Sequence, residues 1–203
     1  EFIDVGGRVI IPGLMNPHHH LYSSLATGLS PKEELDTLKT SGHFKQIEAV
    51  SEIQDTEFHR YCISHDNNFI GILKNLWWQL DSILDEESIY ISAIIGIIDS
   101  IKHGVTMIFD HHASMNYVGG SLNTIERAFK LAGIKGVLCF ETSDRFGLRE
   151  TEAHIEENLI FHELHRDSDT IKSMFGMHAN LTLCDETLRQ IAKQKSDDMH
   201  IHI

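Results

Sequence analysis

The sequence has few cysteines and few basic residues. Its three cysteines, Cys62, Cys139 and Cys184, stand far apart in 203 residues and cannot build a disulfide framework, so we expect a reducing, cytoplasmic location. Lys and Arg number 17 against 30 Asp and Glu, which gives a formal net charge of −13. Because that charge repels phosphate, the composition argues against nucleic acid and against anionic membrane surfaces as partners.

Long apolar runs and targeting segments are also missing. The most apolar helical segment, Ile89–Ile101, is interrupted by Ser92 and Asp99 and is too short to span a bilayer, and no secretory signal is visible. A hydrophobic fraction of 41% is ordinary for a soluble globular protein. The chain lacks an initiator Met and stops at Ile203 inside a predicted strand, so we expect a fragment of a longer protein.

The most informative stretch is Val9–Leu29, in which an apolar run leads through a Pro-Gly turn to three successive histidines. In an extended segment alternate side chains share a face, so His18 and His20 point one way and His19 the other. Two imidazoles at the end of a buried strand form half of a divalent-cation site, for zinc first and iron second. A surface histidine run or a purification tag is the alternative, although a tag does not usually follow a buried strand.

Helical and strand patterns alternate after residue 67. Strands are predicted to begin near residues 105, 136, 172 and 199, at intervals of 31, 36 and 27 residues, which is typical of βαβ units with parallel strands. One intervening helix should begin after Asp85, as its cap, and end at Gly104. Its apolar face is predicted to contain Tyr90, Ile94, Ile97, Ile98 and Ile101.

Chemically interesting side chains follow the carboxyl ends of the predicted strands. They are His18, His20, Asp110, His112, Glu141, Ser143, Arg145, His178, His200 and His202. An α/β barrel builds its active site at that end. An open doubly wound sheet would need a glycine-rich phosphate turn, and the sequence has none. The predicted fold is therefore α/β, a partial (β/α)8 TIM-type barrel with about five of eight parallel strands.

Several segments resemble one enzyme superfamily. PGLMNPHHH resembles the PG-hydrophobic-x-N-x-H-x-H signature that opens the barrel of the amidohydrolase superfamily. The chain is most similar to SsnA-type aminohydrolases, relatives of deaminases and chlorohydrolases, through LYSSLATGL, NLWWQLD, GVTMIFDHHAS, CFETSDRFG and GMHANLTLCDETL. The resemblance divides the chain into residues 1–11, a remnant of a flanking β-domain with a hairpin at Gly6-Gly7, and residues 12–203, a partial barrel. Within the barrel, residues 30–66 are predicted to be an irregular insertion or a lid.

The resemblance implies a metal-binding set and a substrate-binding set. His18, His20 and His202 would bind one divalent metal ion, zinc or else iron, although spacing alone does not choose between His200 and His202. His178 would contact substrate. His112 and Arg145 are further substrate-binding candidates, with the alternatives that His112 supports the site with Asp110 and that Arg145 simply pairs with Glu141. The catalytic Glu and Asp of the family are expected beyond Ile203.

The implied activity is hydrolysis of a non-peptide C–N bond in a small molecule, namely deamination of an amino-substituted nitrogen heterocycle. A bound metal lowers the pKa of water and so provides the nucleophile. We expect residues 1–203 alone to be inactive. The alternatives are a degenerate, truncated homologue without catalysis, and a half-barrel that associates with another chain, as in a homo-oligomer. Dinuclear hydrolysis of cyclic amides such as hydantoins is disfavoured, because no lysine ends a strand in FETSDRFG or FGMHANLT.

Overall fold

The computed structural model describes residues 3–27, 69–195 and 201–202. The predicted insertion at residues 30–66, the residue His200 and the side chain of His202 lie outside the described part of the chain.

The described strands run parallel and follow one another in sequence order. They are β1 (Leu14–His19), β2 (Val105–His112), β3 (Lys135–Phe140), β4 (Ile171–Ser173), β5 (Phe175–Gly176) and β6 (Ile201–His202). β1 to β4 form one parallel sheet, and β5 pairs with β6. Backbone hydrogen bonds from Met174 to Leu138 (3.0 Å) and from Thr142 to Gly176 (3.1 Å) connect β3 with the β4–β5 segment. This sequential parallel order confirms the prediction of a partial barrel.

Helical segments lie between the strands. They are a 3₁₀ turn (Leu21–Ala26), α1 (Phe69–Ile72), a π-helical turn (Leu73–Trp77), α2 (Trp78–Asp81), α3 (Glu86–Lys102), α4 (Ser121–Ala132), α5 (Leu148–His165), a second 3₁₀ turn (Asn180–Thr182) and α6 (Asp185–Gln194). Phe129 and Phe161 pack from α4 and α5 against Leu138 and Phe140 of β3, and these four side chains are fully buried. In the described residues no helix has the length and apolarity needed to cross a membrane.

Local signals fix the ends of these helices. Asp85 caps α3 as predicted, because its carboxylate accepts the backbone N–H of Ser88 at 2.9 Å while the Ser88 hydroxyl accepts the N–H of Asp85 at 2.8 Å. At the other end of α3, Gly104 has a φ of +80°, a left-handed conformation that favours glycine. The position of α3 could therefore be predicted from single residues.

The prediction of strands before β1 was wrong, whereas the assignment of residues 1–11 to a flanking β-domain stays a prediction. Val9, Ile10 and Ile11 are 87%, 76% and 66% exposed and belong to no strand, and β1 begins only at Leu14. A turn does occur at Gly6-Gly7, closed by a hydrogen bond from Arg8 N to the Val5 carbonyl at 3.2 Å. No strand flanks it among residues 3–13. An apolar run therefore did not suffice for a strand, because in the described structure no neighbour covers it.

The predicted apolar face of α3 was also wrong in part. Ile98 and Ile101 are 47% and 45% exposed, whereas Ile89, Ala93 and Ile97 are completely buried. The reason lies in the turn that follows β1. A Cβ on Gly96 would stand 2.6 Å from Cδ2 of Leu21, so the small residues on this side of α3 allow the turn to pack closely against the helix.

Candidate functional site

The rings of His18 and His20 converge at the end of β1. Their Nε2 atoms lie 3.0 Å apart, which shows that both rings share one face, as alternation along the segment predicted. The Nδ1–H of His20 donates to the backbone carbonyl of His111 at 2.8 Å, because a carbonyl can only accept. The Nε2 of neutral His20 is therefore left with its lone pair, directed at His18.

This pair fits a divalent metal ion. Two imidazole nitrogens that bind one tetrahedral zinc at about 2.0–2.1 Å lie roughly 3.3 Å apart, close to the observed separation. A backbone carbonyl that holds the other ring nitrogen is the usual support for a ligating histidine. Burial lowers the pKa of His20 and so favours the neutral form that a ligand needs. Among the described residues no group of three His, Cys, Asp or Glu side chains could hold a metal, and the side chain of His202 is not among them.

Asp110 and His112 lie at the end of β2 and are completely buried. Asp110 Oδ1 accepts the backbone N–H of Leu21 at 2.7 Å, which holds the turn after β1, and burial raises the pKa of this carboxyl to about 7. The Nε2–H of His112 donates to the Ser114 hydroxyl at 2.9 Å, since that hydroxyl itself donates to the Tyr117 carbonyl at 2.7 Å. Burial lowers the pKa of His112 to about 3. Among the described residues Asp110 and His112 thus bind other partners rather than one another, and the role of His112 stays a prediction.

His111, between them, did not appear among the predicted site residues. Its carbonyl orients His20, and its ring packs against the His20 ring with centroids 5.4 Å apart. Alternation along β2 places His111 on the face opposite to Asp110 and His112, so the choice of those two residues as site candidates excluded it.

Arg145 lies at the centre of a buried polar cluster after β3. Its NH2 atom donates to Oδ2 of Asp81 at 2.9 Å and to Oε1 of Glu141 at 2.7 Å. Its Nε donates to the Ser143 hydroxyl at 3.1 Å, and the guanidinium carbon lies 4.9 Å from the centre of the Trp78 ring. Arg145 does pair with Glu141, as one alternative proposed. Its NH1 atom is buried without a hydrogen-bond partner among the described residues.

Asp81 is the member of this cluster that sequence reasoning missed. It lies 64 residues before Arg145, on α2, and no local pattern connects the two. Burial and the neighbouring Glu141 raise the pKa of Asp81 to about 7, although Arg145 opposes the shift. Burial acts on Glu141 in the same direction, but Arg145 and the nearby His178 and His111 hold its pKa below the ordinary value. The cluster therefore contains two acids for one guanidinium.

His178 follows β5 and is held by the second 3₁₀ turn. Its Nδ1 lies 2.7 Å from the Thr182 hydroxyl, and that hydroxyl donates to the Ala179 carbonyl at 2.9 Å. The hydroxyl therefore accepts Nδ1–H, and the Nε2 of His178 is left as an acceptor. Burial lowers the pKa of His178, and Arg145 and His20 are near enough to contribute. The ends of β1, β3 and β5 thus supply two imidazole acceptors and a fixed guanidinium donor.

Known sequences similar to this chain belong to one family of hydrolases. The sequence model of the amidohydrolase family matches residues 9–203. A 5'-deoxyadenosine deaminase of Methanobrevibacter smithii is 28% identical over the whole chain, which covers 38% of that protein. The hydroxydechloroatrazine ethylaminohydrolase of Pseudomonas sp. is 23% identical over 68% of the chain and 22% of that protein. The chain spans about two fifths of the length of the deaminases that it matches.

Solved structures of a triazine hydrolase and of an adenosine deaminase share the fold of this chain. A triazine hydrolase from Arthobacter aurescens superposes with a TM-score of 0.59 at 15% identity, over 95% of this chain and 40% of that one. An adenosine deaminase from Xanthomonas campestris, solved with bound zinc, gives a TM-score of 0.59 at 19% identity, over 94% of this chain and 35% of that one.

Proposed function

The chain belongs to the amidohydrolase family, and on that premise we propose that the whole protein is a metal-dependent aminohydrolase that removes an amino group from a small nitrogen heterocycle. The observation that carries this proposal is the pair of facing Nε2 atoms of His18 and His20, 3.0 Å apart. The names of the relatives, which include deaminases and an ethylaminohydrolase, support a C–N bond as the target.

We propose that His18 and His20, with His202 as a third ligand, hold one divalent metal ion, zinc in preference to iron. Such a metal, when bound, supplies Lewis acidity that lowers the pKa of water toward neutrality. The carbonyl of His111 keeps His20 in the tautomer that can bind. The carboxylate of Asp110 fixes the turn that begins directly after His20.

The substrate-binding role falls to His178 and Arg145. The Nε2 of His178 can accept an N–H of the substrate. The NH1 of Arg145, which has no hydrogen-bond partner in the described part of the chain, can donate to a ring nitrogen. In the net reaction a water oxygen replaces the amino group on a ring carbon, and the amine leaves as ammonia after taking up a proton. We propose that the acid that supplies this proton, and the final Asp of the family, lie after Ile203 in the whole protein.

The direct test uses the whole protein and a matched series of histidine variants. Zinc content is measured by mass spectrometry, and ammonia release is measured with 5'-deoxyadenosine and with an aminotriazine as probes. We expect His18→Ala and His20→Ala to lose zinc and to lower turnover by more than the ~10–100-fold typical of supporting residues. His19→Ala, which changes the neighbouring ring on the opposite face, should keep both. Equal zinc loss in all three variants, or full turnover by His20→Ala, would contradict the proposal.

A further inference from the structure

Asp144, in the loop after β3, binds parts of two helices through one carboxylate. Its Oδ1 accepts the hydroxyls of Thr151 on α5 and of Thr187 on α6, at 2.9 and 2.7 Å. Its Oδ2 accepts the backbone N–H of Cys184, the residue that precedes α6, at 2.6 Å. A carboxylate at these positions meets the free N–H groups and the positive dipole end of a helix.

The backbone of Asp144 binds the same region. Its N–H donates to the carbonyl of Thr182 at 2.8 Å, in the 3₁₀ turn that leads to α6. One residue therefore holds the segment between Thr182 and Thr187 at three points. We call the set Asp144, Thr151, Thr182, Cys184 and Thr187 the Asp144 clamp.

The clamp ends next to two side chains of the candidate site. Thr182 carries the hydroxyl that binds Nδ1 of His178 at 2.7 Å. The backbone N–H of His178 donates to the Thr142 carbonyl at 3.0 Å, two residues before Asp144. Arg145 follows Asp144 directly, and its Nε binds the hydroxyl of Ser143. Asp144 therefore connects the loop after β3, to which it and Arg145 belong, with the loop after β5, which carries His178.

We propose that Asp144 is a positioning residue: its carboxylate, by holding Cys184 and Thr187, fixes the segment from which the Thr182 hydroxyl sets the place and the tautomer of the His178 ring relative to Arg145. The proposal rests on the proposed function, since it assumes that His178 and Arg145 bind substrate. The Thr182 hydroxyl holds Nδ1–H and so keeps the lone pair on Nε2. Without that contact the neutral ring is free to exchange its proton between the two nitrogens, and Nε2 becomes a donor for part of the time.

The test uses the whole protein with its metal and isosteric variants of the clamp. Thr182→Val removes the hydroxyl but keeps the shape, and Thr182→Ser restores the hydroxyl. We expect kcat/KM for 5'-deoxyadenosine to fall by about 10–100-fold in Asp144→Ala and Thr182→Val. The loss should appear mainly in KM, because His178 is proposed to bind substrate and a misplaced ring binds it less tightly. Thr182→Ser should keep activity near that of the wild type, and zinc content should stay unchanged throughout.

The control is Asp185→Asn, in the first turn of α6. Its carboxylate is 86% exposed and pairs with the exposed Arg189 at 3.4 Å. Hydrogen exchange of the peptide covering residues 178–187 gives a readout independent of activity. It should rise in Asp144→Ala and not in Asp185→Asn. An unchanged exchange rate in Asp144→Ala overturns the clamp itself.

The remaining outcomes separate the clamp from the proposed function. A Thr182→Val variant with wild-type kcat and KM, or a Thr182→Ser variant no better than Thr182→Val, overturns the positioning role. A wild-type protein that binds zinc but turns over neither a nucleoside nor an aminotriazine contradicts the proposed function. In that case the positioning role falls with it, and increased exchange in Asp144→Ala would still support the structural contact.

Discussion

Buried polar side chains occur in two regions of this chain, and the two regions satisfy them differently. In the helix layer, Asn158 and Glu157 of α5 use their polar atoms fully. At the strand ends, among which we count Asp81 of α2 because it binds Arg145, the residues Asp81, Asp110 and Arg145 each have one side-chain atom without a hydrogen-bond partner among the described residues. Since a buried unpaired group costs about 1–3 kcal/mol, the difference separates a region built for stability from one that retains unused binding capacity.

The helix layer shows the first case. The Asn158 Oδ1 accepts the backbone N–H groups of Phe140 and Gly176 at 3.0 and 3.2 Å, and its amide donates to the Phe140 carbonyl at 2.8 Å. Glu157 accepts the N–H groups of Gly120 and Leu122 at 2.8 and 3.0 Å, where α4 begins. Two atoms of this layer are exceptions without a partner among the described residues, namely one ring nitrogen of His154 and the hydroxyl of Ser121 at the start of α4.

The strand ends show the second case. Arg145 and Asp81 share a single hydrogen bond of 2.9 Å, although a guanidinium and a carboxylate can form two in parallel. The remaining NH1 of Arg145 and Oδ1 of Asp81 are a donor and an acceptor, both buried. Under the proposed function, these two atoms supply a donor for a ring nitrogen and an acceptor for an N–H group of the substrate. The comparison thus predicts that helix-layer variants change stability alone, and that strand-end variants change substrate binding as well.

The largest effect should come from Asn158→Ala. The change leaves the N–H and C=O of Phe140 and the N–H of Gly176 without their partner, at a cost of about 3–6 kcal/mol of unfolding free energy. Denaturant unfolding of the whole protein measures this loss, with the partly exposed Asn123→Ala on α4 as the control. Any Asn158→Ala protein that remains folded should keep the KM of the wild type. A raised KM would mean that the two regions are not independent.

Arg145→Gln should lower stability somewhat less but should also affect binding. The carboxylates of Asp81 and Glu141 lose the buried charge between them, which typically costs about 3–5 kcal/mol. Steady-state kinetics with 5'-deoxyadenosine should show a higher KM than that of the wild type at a temperature where both are folded. A stability loss with unchanged KM would show that Arg145 contributes to stability alone, as the residues of the helix layer do.

Asp81→Asn should change how stability depends on pH. Burial and the nearby Glu141 raise the folded pKa of Asp81 to about 7, above the ~3.9 of an unfolded aspartate, although Arg145 opposes the shift. Between roughly pH 4 and 7 the folded protein therefore binds more protons, and its stability decreases as pH rises through that window. Asparagine should remove this decrease. Thermal midpoints at pH 5 and pH 8 measure it, with the exposed Asp99→Asn as control, which should behave like the wild type.

The smallest effect is expected for Glu157→Gln. The amide keeps one acceptor oxygen for the start of α4 but turns an NH2 group toward the second backbone N–H, so the loss should be about 1–2 kcal/mol. Burial raises the pKa of Glu157, which offsets part of this cost because the neutral residue no longer has a buried charge. Denaturant unfolding measures the difference, and kcat and KM should stay unchanged. A loss as large as that of Asn158→Ala would show that the charge itself is needed at the start of α4.

Several parts of this structure could be predicted from short stretches of sequence. The strands β2, β3, β4 and β6 begin within one or two residues of the predicted positions, because each follows from an apolar run, whereas β5 was not predicted as a strand separate from β4. The cap at Asp85 and the end at Gly104 depend on one residue each. The convergence of His18 and His20 depends only on alternation along an extended segment. The role of these two histidines as metal ligands remains a prediction.

Other features depended on contacts that no local pattern contains. Whether Ile98 or Ile89 faces the core was decided by the turn after β1, which packs where Gly96 leaves room. Whether Val9–Ile11 became a strand depended on a neighbour to pair with. In both cases the local sequence was compatible with more than one structure, and the packing of neighbouring segments decided which of them formed.

The sequence by itself determined the order of strands and helices, the caps, and the shared face of His18 and His20, because each depends on backbone geometry over a few residues. Only the tertiary structure decided that Asp81 meets Arg145 and that Asp144 meets Cys184, across 64 and 40 residues of chain. Those contacts depend on how α2 and the loops after β3 and β5 come together. That arrangement is fixed by packing of the whole layer, and no periodicity in the chain encodes it.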